Sequence, residues 1–288
     1  MTTAMGGGVT VVGSANLDLV ATTSRRPGPG ETVMGSGFAE HPGGKGLNQA
    51  VAAARQGAQT SFVGALGDDA AGTRLREVLA NDGVDTLQVR GVGSPTGRAL
   101  IIVDDGGENS IVVIPGANEH CPSPDTVADV LLVQLEVPLA TVRSAITTAR
   151  RAGSTVVLNP APAANLDDDL LAMVDVITPN EHEVDLLGGV DRLLTAGVGA
   201  VVVTVGADGA LIHRRDHSPV VVAAPTVTVV DTTGAGDTLS GTVAAALAAG
   251  SDIVHAVTRG VVAGSLATTV AGAVPSLPTA ALVDAYMQ

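Results

Sequence analysis

Aromatic side chains are almost missing from this chain: 288 residues include no tryptophan, one tyrosine and two phenylalanines. Interiors are close-packed, so Val, Leu, Ile and Ala must fill the core. Basic residues are scarce as well. Lys and Arg number 15 against 29 Asp and Glu, a formal net charge of −14, which speaks against nucleic acid as a partner, since phosphate binding needs clustered cations. The single cysteine, Cys121, can form no internal disulfide and fits a reducing compartment. Long apolar runs are absent too: stretches such as Val243 to Ala249 fall far short of the roughly 20 residues that cross a bilayer. The opening MTTAMGGGVT has neither the basic region nor the apolar core of a signal peptide. The expectation is a cytoplasmic protein that binds neither membrane nor nucleic acid.

What is present is a rhythm. Short β-branched runs at Val9 to Ser14, Thr60 to Val63, Val130 to Leu135, Thr155 to Leu158, Val174 to Thr178 and Ala200 to Val205 read as buried strands. Between and after them, Asn48 to Gln56, Arg74 to Asn81, Thr238 to Ala249 and Ile253 to Thr269 read as helices. Alternation of this kind predicts an α/β fold, a doubly wound and mostly parallel sheet flanked by helices. Two stretches, Asp18 to Phe38 and Thr96 to Ile114, instead alternate polar and apolar residues around PGPGE and DDGGEN turns, the pattern of strands with one solvated face. They are expected to form a small β-sheet lid, about 17–40 and 95–115, over the mouth of one domain spanning 1–288. Neither an internal repeat nor a low-complexity linker breaks the chain.

Chemistry concentrates in VVDTTGAGDTLSG, Val229 to Gly241. Gly234 and Gly236 allow the backbone to approach a ligand without a Cβ. The N–H groups opening the helix that follows would face an anion with the helix dipole behind them. Such a nest suits charge developing on a transferring phosphoryl group, and Asp237 stands where it could take a proton from an attacking hydroxyl. Alone, the pattern would equally suit an aspartate that only caps the helix. No Gly-Lys-Ser/Thr follows, so this is not a Walker-type loop. It is not a dinucleotide fingerprint either, which would open the first βα turn.

The longer string DTTGAGDTLSG resembles the C-terminal signature of the ribokinase-like (pfkB) carbohydrate kinases, and HPGGKGLNQAVAAARQGA, His41 to Ala58, resembles their N-terminal signature. VVGSANLDLV, LNPAPA, TPNEHE and GAVPSLP extend the similarity over nearly the whole chain, in order. The resemblance implies ATP-dependent, in-line phosphorylation of the primary hydroxyl of a small sugar, D-ribose being the expected one. Asp237 would be the base, and Gly234, Ala235 and Gly236 the anion hole. Asn16, Asp18, Gly44, Lys45, Asn48 and Glu136, with Asp237, would hold the sugar. A polyol pocket needs such carboxylates and amides in any case, because they reject analogues lacking a matched hydroxyl. Taken singly, Asp18 also reads as a solvated strand residue, Asn48 as a helix cap and Lys45 as a loop charge.

The resemblance further implies that Asn180 and Glu183 order a Mg²⁺–phosphate assembly through water, which suits an ion that dehydrates reluctantly. Their spacing also fits a helix cap with surface acids, His182 between them being exposed. Thr204, Val205, Gly206, Ala207, Asp208 and Gly209, with Gly236, would bind ATP, and Val261 would line the adenine slot. Asp231, Thr233, Ala267, Val270, Gly272 and Ser276 match a monovalent-cation site, so K⁺ joins ATP and Mg²⁺ as an expected requirement. Pairing of two copies through the lid is expected as well. The chain departs from the family between Leu187 and Ala200, where the helix should shrink to about two turns. Arg98 has no assignable place: solvent, a partner subunit and an anionic substrate group all remain open. Phe38 is the lid's one aromatic, poor support for stacking on a nucleobase. Deoxyribose, fructose or a nucleoside as acceptor, and a catalytically silent sugar-binding protein, stay as alternatives; the missing early glycine turn argues against a dinucleotide-dependent oxidoreductase.

Overall fold

The computed structural model describes residues 7–288. In chain order its first half comprises β1 (Gly8–Val12), β2 (Asn16–Thr23), β3 (Gly35–Gly43), α1 (Lys45–Arg55), β4 (Gln59–Gly67), α2 (Ala70–Asn81), β5 (Val89–Val92), β6 (Gly97–Asp104), β7 (Asn109–Ile114), β8 (Val130–Val133) and α3 (Leu139–Ala152). The second half comprises β9 (Thr155–Leu158), α4 (Asp168–Leu171), β10 (Val176–Ile177), α5 (Glu181–Leu186), α6 (Val190–Ala196), β11 (Ala200–Thr204), β12 (Ala210–Arg214), β13 (Val220–Val222), α7 (Ala235–Ala248), α8 (Ile253–Ala267), α9 (Ala273–Ser276) and α10 (Ala280–Tyr286).

Nine strands form the main sheet in the order β13-β12-β11-β10-β9-β8-β1-β4-β5. From β5 to β11 neighbours run parallel, and β12 and β13 add an antiparallel edge. Helices cover both faces. Val9, Val11, Val130 and Leu132 point into a cluster with Leu47 of α1, Leu75 and Leu79 of α2, Leu239 of α7 and Val257 of α8. Val12, Leu131, Val133 and Leu158 point the other way, against Ile146 of α3, Leu170 and Leu171 of α4 and Leu193 of α6. A strand buried on both faces needs apolar residues at every position, which is why these strands read as continuous runs.

Four strands, β3-β2-β6-β7, form a second sheet. Strands β2 and β6 pair in parallel, while β3 and β7 are antiparallel to their neighbours. The stretch Asp18 to Phe38 is not one strand: β2 ends at Thr23 and β3 begins at Gly35, with the proline-rich turn between them. The sequence reading misses α3, α4, α9, α10, β5 and the β12–β13 hairpin. Helix α1 begins at Lys45 rather than Asn48, and α2 begins at Ala70, where Asp69 caps Gly72 N. The shortened helix between Leu187 and Ala200 is α6, seven residues long, about two turns. Among the described residues, no helix is long and apolar enough to cross a membrane.

Glycines set two close helix contacts that matter below. A Cβ on Gly241 of α7 would lie 2.6 Å from the Gln49 carbonyl oxygen and 2.7 Å from Ala52 Cβ, both on α1. A Cβ on Gly46 would lie 2.6 Å from the Gly13 carbonyl carbon and from Ser14 N. Helix α1 is therefore wedged against the end of β1 on one side and against α7 on the other.

Candidate active site

The carboxyl ends of the parallel strands deliver the polar residues, as in other open α/β sheets. Ser14 follows β1, Gln134 follows β8, Asn159 follows β9, Thr178 and Asn180 follow β10, and Thr204 closes β11. Opposite them, Gly234 turns the chain into α7 with φ +79°. That left-handed turn brings the first N–H groups of α7 beside the strand ends: Ala235 N donates to Thr232 O at 3.3 Å, while the next two have no carbonyl one turn back. Asp237 sits in this first turn and is 7% exposed.

Two cavities meet here. One, of about 420 Å³, is lined by Thr204, Gly206, Ala207 and Gly209 on one side and by Val227, Val229, Leu239 and Val261 on the other. The second, of about 300 Å³, is polar: Lys45, Asn159, Asn180, Glu183, Gly234 and Asp237 line it. Thr204, Thr232 and Gly236 belong to both, so an extended molecule can reach from the apolar slot into the polar chamber. Val205 and Asp208 do not line the slot. They shape its turn instead, Asp208 N donating to Val205 O and Val205 N to Gly209 O.

Both carboxylate oxygens of Asp237 are held by amides of α1: Asn48 Nδ2 donates to Oδ2 at 2.9 Å and Gln49 Nε2 to Oδ1 at 2.8 Å. Asn48 is thus no helix cap. Its own Oδ1 is buried without a partner among the described residues, an acceptor in reserve. At the base of β2, Asn16 is buried, and its Oδ1 accepts from Asn118 Nδ2 at 2.7 Å while Asn118 Oδ1 takes Ala15 N. This arrangement leaves the Asn16 NH₂ as a donor. Glu136 uses one oxygen, Oε2, to accept from Ser14 Oγ and from Lys45 N, the start of α1. Gly44 caps that helix with φ +88°, and a Cβ on Gly43 would fall on the Asp18 carboxylate. The two glycines let β3 turn into α1 directly beneath Asp18.

The charges are crowded. Burial first, then Glu136 and Asp237, push the Asp18 carboxyl from about 3.8 up to about 7. Lys45 is held above its ordinary value chiefly by Asp237, with Glu136 and Glu183 adding to this against the effect of burial. For Asp18 the linkage sign is that of a raised carboxyl. Its contribution to stability is complete below the unfolded value and is lost as pH rises through about 7. Asp18→Asn is therefore expected to stabilise the ligand-free protein by up to a few kcal/mol at about pH 8, with a smaller gain at about pH 5. Urea midpoints at the two pH values check this, and an equal effect at both would refute it.

Asn180 and Glu183 make a reciprocal cap at the start of α5: Glu183 N donates to Asn180 Oδ1 at 2.7 Å and Asn180 N to Glu183 Oε2 at 2.9 Å. Both still line the polar chamber, and His182 is exposed. Asp231 staples two loops, Oδ1 accepting from Thr233 N and Oγ1 and Oδ2 from Gly272 N. Burial opposes these bonds, yet they hold the Asp231 carboxyl below its usual range. Val230 N and Asp231 N both donate to Thr268 O, so 230–233 and 267–276 lie together, with Ser276 Oγ donating to Ala273 O at 2.7 Å. Arg98 finds its place beside Asp69, 3.8 Å away, where Asp69 also takes Thr96 N and Oγ1. It belongs to the root of β6, away from the chamber.

A family model for pfkB family carbohydrate kinases matches residues 8–280. The chain belongs to that family. Among its pfkB relatives are the ribokinase of Haemophilus influenzae, 39% identical over 94% of this chain and 95% of that protein, and the ribokinase of Bacillus subtilis, 38% identical over 94% and 96%. Solved pfkB folds superpose closely. Thermotoga maritima ribokinase gives a TM-score of 0.89 at 33% identity, covering 98% of this chain and 99% of the other. Arabidopsis thaliana ribokinase, solved in complex with ribose and ATP, gives 0.90 at 31% identity, with 99% of both chains covered. Sequence reasoning about this pfkB kinase missed Gln49, Gln134, Asn159 and Asn118. Membership of the GGKGLNQ, QLEVP and LNPAPA segments is the signal that could have found Gln49, Gln134 and Asn159; Asn118, four residues past β7, carries none.

Proposed function

We propose that this pfkB kinase transfers the γ-phosphate of ATP to the primary hydroxyl of D-ribose, giving ribose 5-phosphate, with Asp237 as the base. One observation carries the reading: Asp237 stands buried at the head of α7, in the polar chamber that opens into an apolar slot at Thr204, Thr232 and Gly236. The slot suits an adenosine and the chamber its terminal phosphates. Supporting the choice of sugar are the ribokinase relatives along nearly the whole chain and the structural neighbour complexed with ribose and ATP.

In this proposal the sugar lies between Asn16, Asp18 and Gly44 at the small sheet's base and Asn48, Glu136 and Asp237 on the main domain. The Asn16 NH₂ and the unpaired Asn48 Oδ1 are matched to its hydroxyls. The small sheet acts as the lid of one unit, 1–288. As the hydroxyl oxygen attacks the γ-phosphorus, its proton passes to the Asp237 carboxylate and the bond to the leaving ADP oxygen breaks. Lys45 and the N–H groups after Gly234, at Ala235 and Gly236, stabilise the transferring phosphoryl charge. Thr204, Gly206, Ala207, Gly209 and Val261 hold the nucleotide.

No group of three or more His, Cys, Asp or Glu gathers around a metal position among the described residues. The donors that remain, Glu183 and Asn180, fit a Mg²⁺ carried mainly by phosphates and water; when bound it would screen phosphate charge. The stapled loops, with Asp231, Thr233, Ala267, Val270, Gly272 and Ser276, fit a K⁺ held largely by backbone carbonyls. A cytoplasmic setting would supply the MgATP this reading needs. The apolar outer strand β7, whose Ile111 to Ile114 are all exposed, supports pairing of two copies through the lid; a monomer mass by light scattering at micromolar concentration would defeat that.

The test is ADP release with MgATP, in potassium and in tetramethylammonium at equal ionic strength, across ribose, 2-deoxyribose, fructose, adenosine and no sugar. Ribose-dependent turnover that falls without potassium is expected. Turnover with another acceptor alone would overturn the sugar assignment, and equal rates in both cations would overturn the K⁺ site.

A further inference from the structure

The catalytic carboxylate is anchored by an amide that never reaches the substrate. Gln49 is fully buried and lines neither cavity. Its Nε2 donates both to Asp237 Oδ1 at 2.8 Å and to Asn159 Oδ1 at 3.0 Å, and its Oε1 accepts from Gln134 Nε2 at 2.5 Å. Asn159 in turn donates its Nδ2 to Thr178 O at 3.0 Å.

Two amides of this chain, Asn159 and Gln49, can point only one way; Gln134, whose Oε1 is buried without a partner among the described residues, is oriented only by Gln49. A backbone carbonyl only accepts, so Asn159 must turn its NH₂ to Thr178 and its oxygen to Gln49. That oxygen, and the acceptor-only carboxylate of Asp237, both demand the Gln49 NH₂, which leaves the Gln49 oxygen for Gln134. Asn48 has no such lock, since its other amide atom is unpaired. Successive helix residues project about 100° apart, so Asn48 and Gln49 grip the two Asp237 oxygens from different directions and stop the carboxylate from rotating.

We infer that Gln49 is a positioning residue for the base: it fixes the Asp237 carboxylate so that its remaining lone pairs face the chamber. Of the other charged groups near that carboxylate, Asp18 stands on β2, Glu183 of α5 lines the same chamber, and Lys45 is the one cation lining it among the described residues. The inference rests on Asp237 being the base of the proposed kinase.

The test uses the full-length enzyme with ribose and MgATP, comparing Gln49→Met, Gln49→Glu, Asp237→Asn and the double variant Gln49→Met/Asp237→Asn. Gln49→Met is expected to lower kcat about ten- to a hundredfold, the worth of one hydrogen bond to a charged group, with both KM values within about threefold. Gln49→Glu keeps the shape but sets an acceptor oxygen where Asp237 Oδ1 now takes an NH₂, and should lower kcat further; it also serves should Gln49→Met fail to fold. The double variant should be no slower than Asp237→Asn alone, because Gln49 acts through Asp237. Unchanged kcat in a folded Gln49 variant, KM values that rise as kcat falls, or losses that multiply in the double variant, would overturn the inference. A near-normal rate in Asp237→Asn would instead remove the base assignment itself, a separate and recognisable failure.

Discussion

Asp237→Asn is expected to lower kcat by about two to four orders of magnitude, the usual worth of a positioned general base, while ribose and ATP still bind. The surroundings explain why binding and folding should survive. An asparagine presents one oxygen and one NH₂ where Asn48 and Gln49 now meet two acceptor oxygens. Gln49 is locked by Asn159, which the Thr178 carbonyl fixes, so it keeps the oxygen. Asn48 can turn over, offering its unpaired Oδ1 to the new NH₂. The hydrogen bonds are then conserved and the site remains packed, but no atom accepts a proton. Steady-state rates with calorimetric titration of ATP check the split. A variant retaining near-normal turnover would strip Asp237 of its role.

The second large effect comes from a residue without a side chain. Gly241→Ala puts a Cβ at 2.6 Å from a backbone oxygen of α1 and 2.7 Å from Ala52 Cβ, distances no real Cβ contact adopts, and neither neighbour can swing aside. The helices must part. Overpacking of this kind costs about 1–3 kcal/mol, but activity should suffer more. Gly241 lies one turn after Asp237 on α7, and its clash is with the very residue, Gln49, that grips Asp237. Displacing a reacting group by about 1 Å can cost about a hundredfold in rate. Urea midpoint and kcat measured together are expected to show a modest stability loss and a disproportionate rate loss. Gly93→Ala, where nothing lies within 4 Å of the new carbon, is the matched control and should change neither. Equal behaviour of the two variants would show that the α1–α7 contact is slack.

These effects trace how far the amino-acid order could be read directly. Runs such as Leu131 to Val133 and Val201 to Val203 announce buried strands because burial on both faces leaves one solution for each position. The GAGD turn is legible because a left-handed glycine before a helix has few other uses. Gln49 is legible only as the last residue of GGKGLNQ: in an Ala-rich helix a glutamine otherwise reads as surface, and the close α1–α7 approach at Gly241 carries it inward. Asn118 is hidden, its partner Asn16 lying 102 residues away. Asp231 reads as a cation ligand in sequence, but its bond to Gly272, 41 residues on, leaves no pattern to read. Helix α3 has the apolar stripe of Val142, Ala145, Ile146 and Ala149 but sits among residues with no motif to draw the eye.

The three aromatic rings occupy unlike places. Phe62 is fully buried on β4 of the main sheet, Phe38 is 68% exposed on β3, and Tyr286 is 54% exposed on α10. The native molecule is therefore nearly dark in the near ultraviolet: its interior offers no indole emission, and an exposed phenol is a weak source of dichroism. That darkness is an opening for optical work. A tryptophan introduced at Phe38 would be the only indole in the protein, its emission colour reporting solely on what covers the outer part of the small sheet, with no background to subtract.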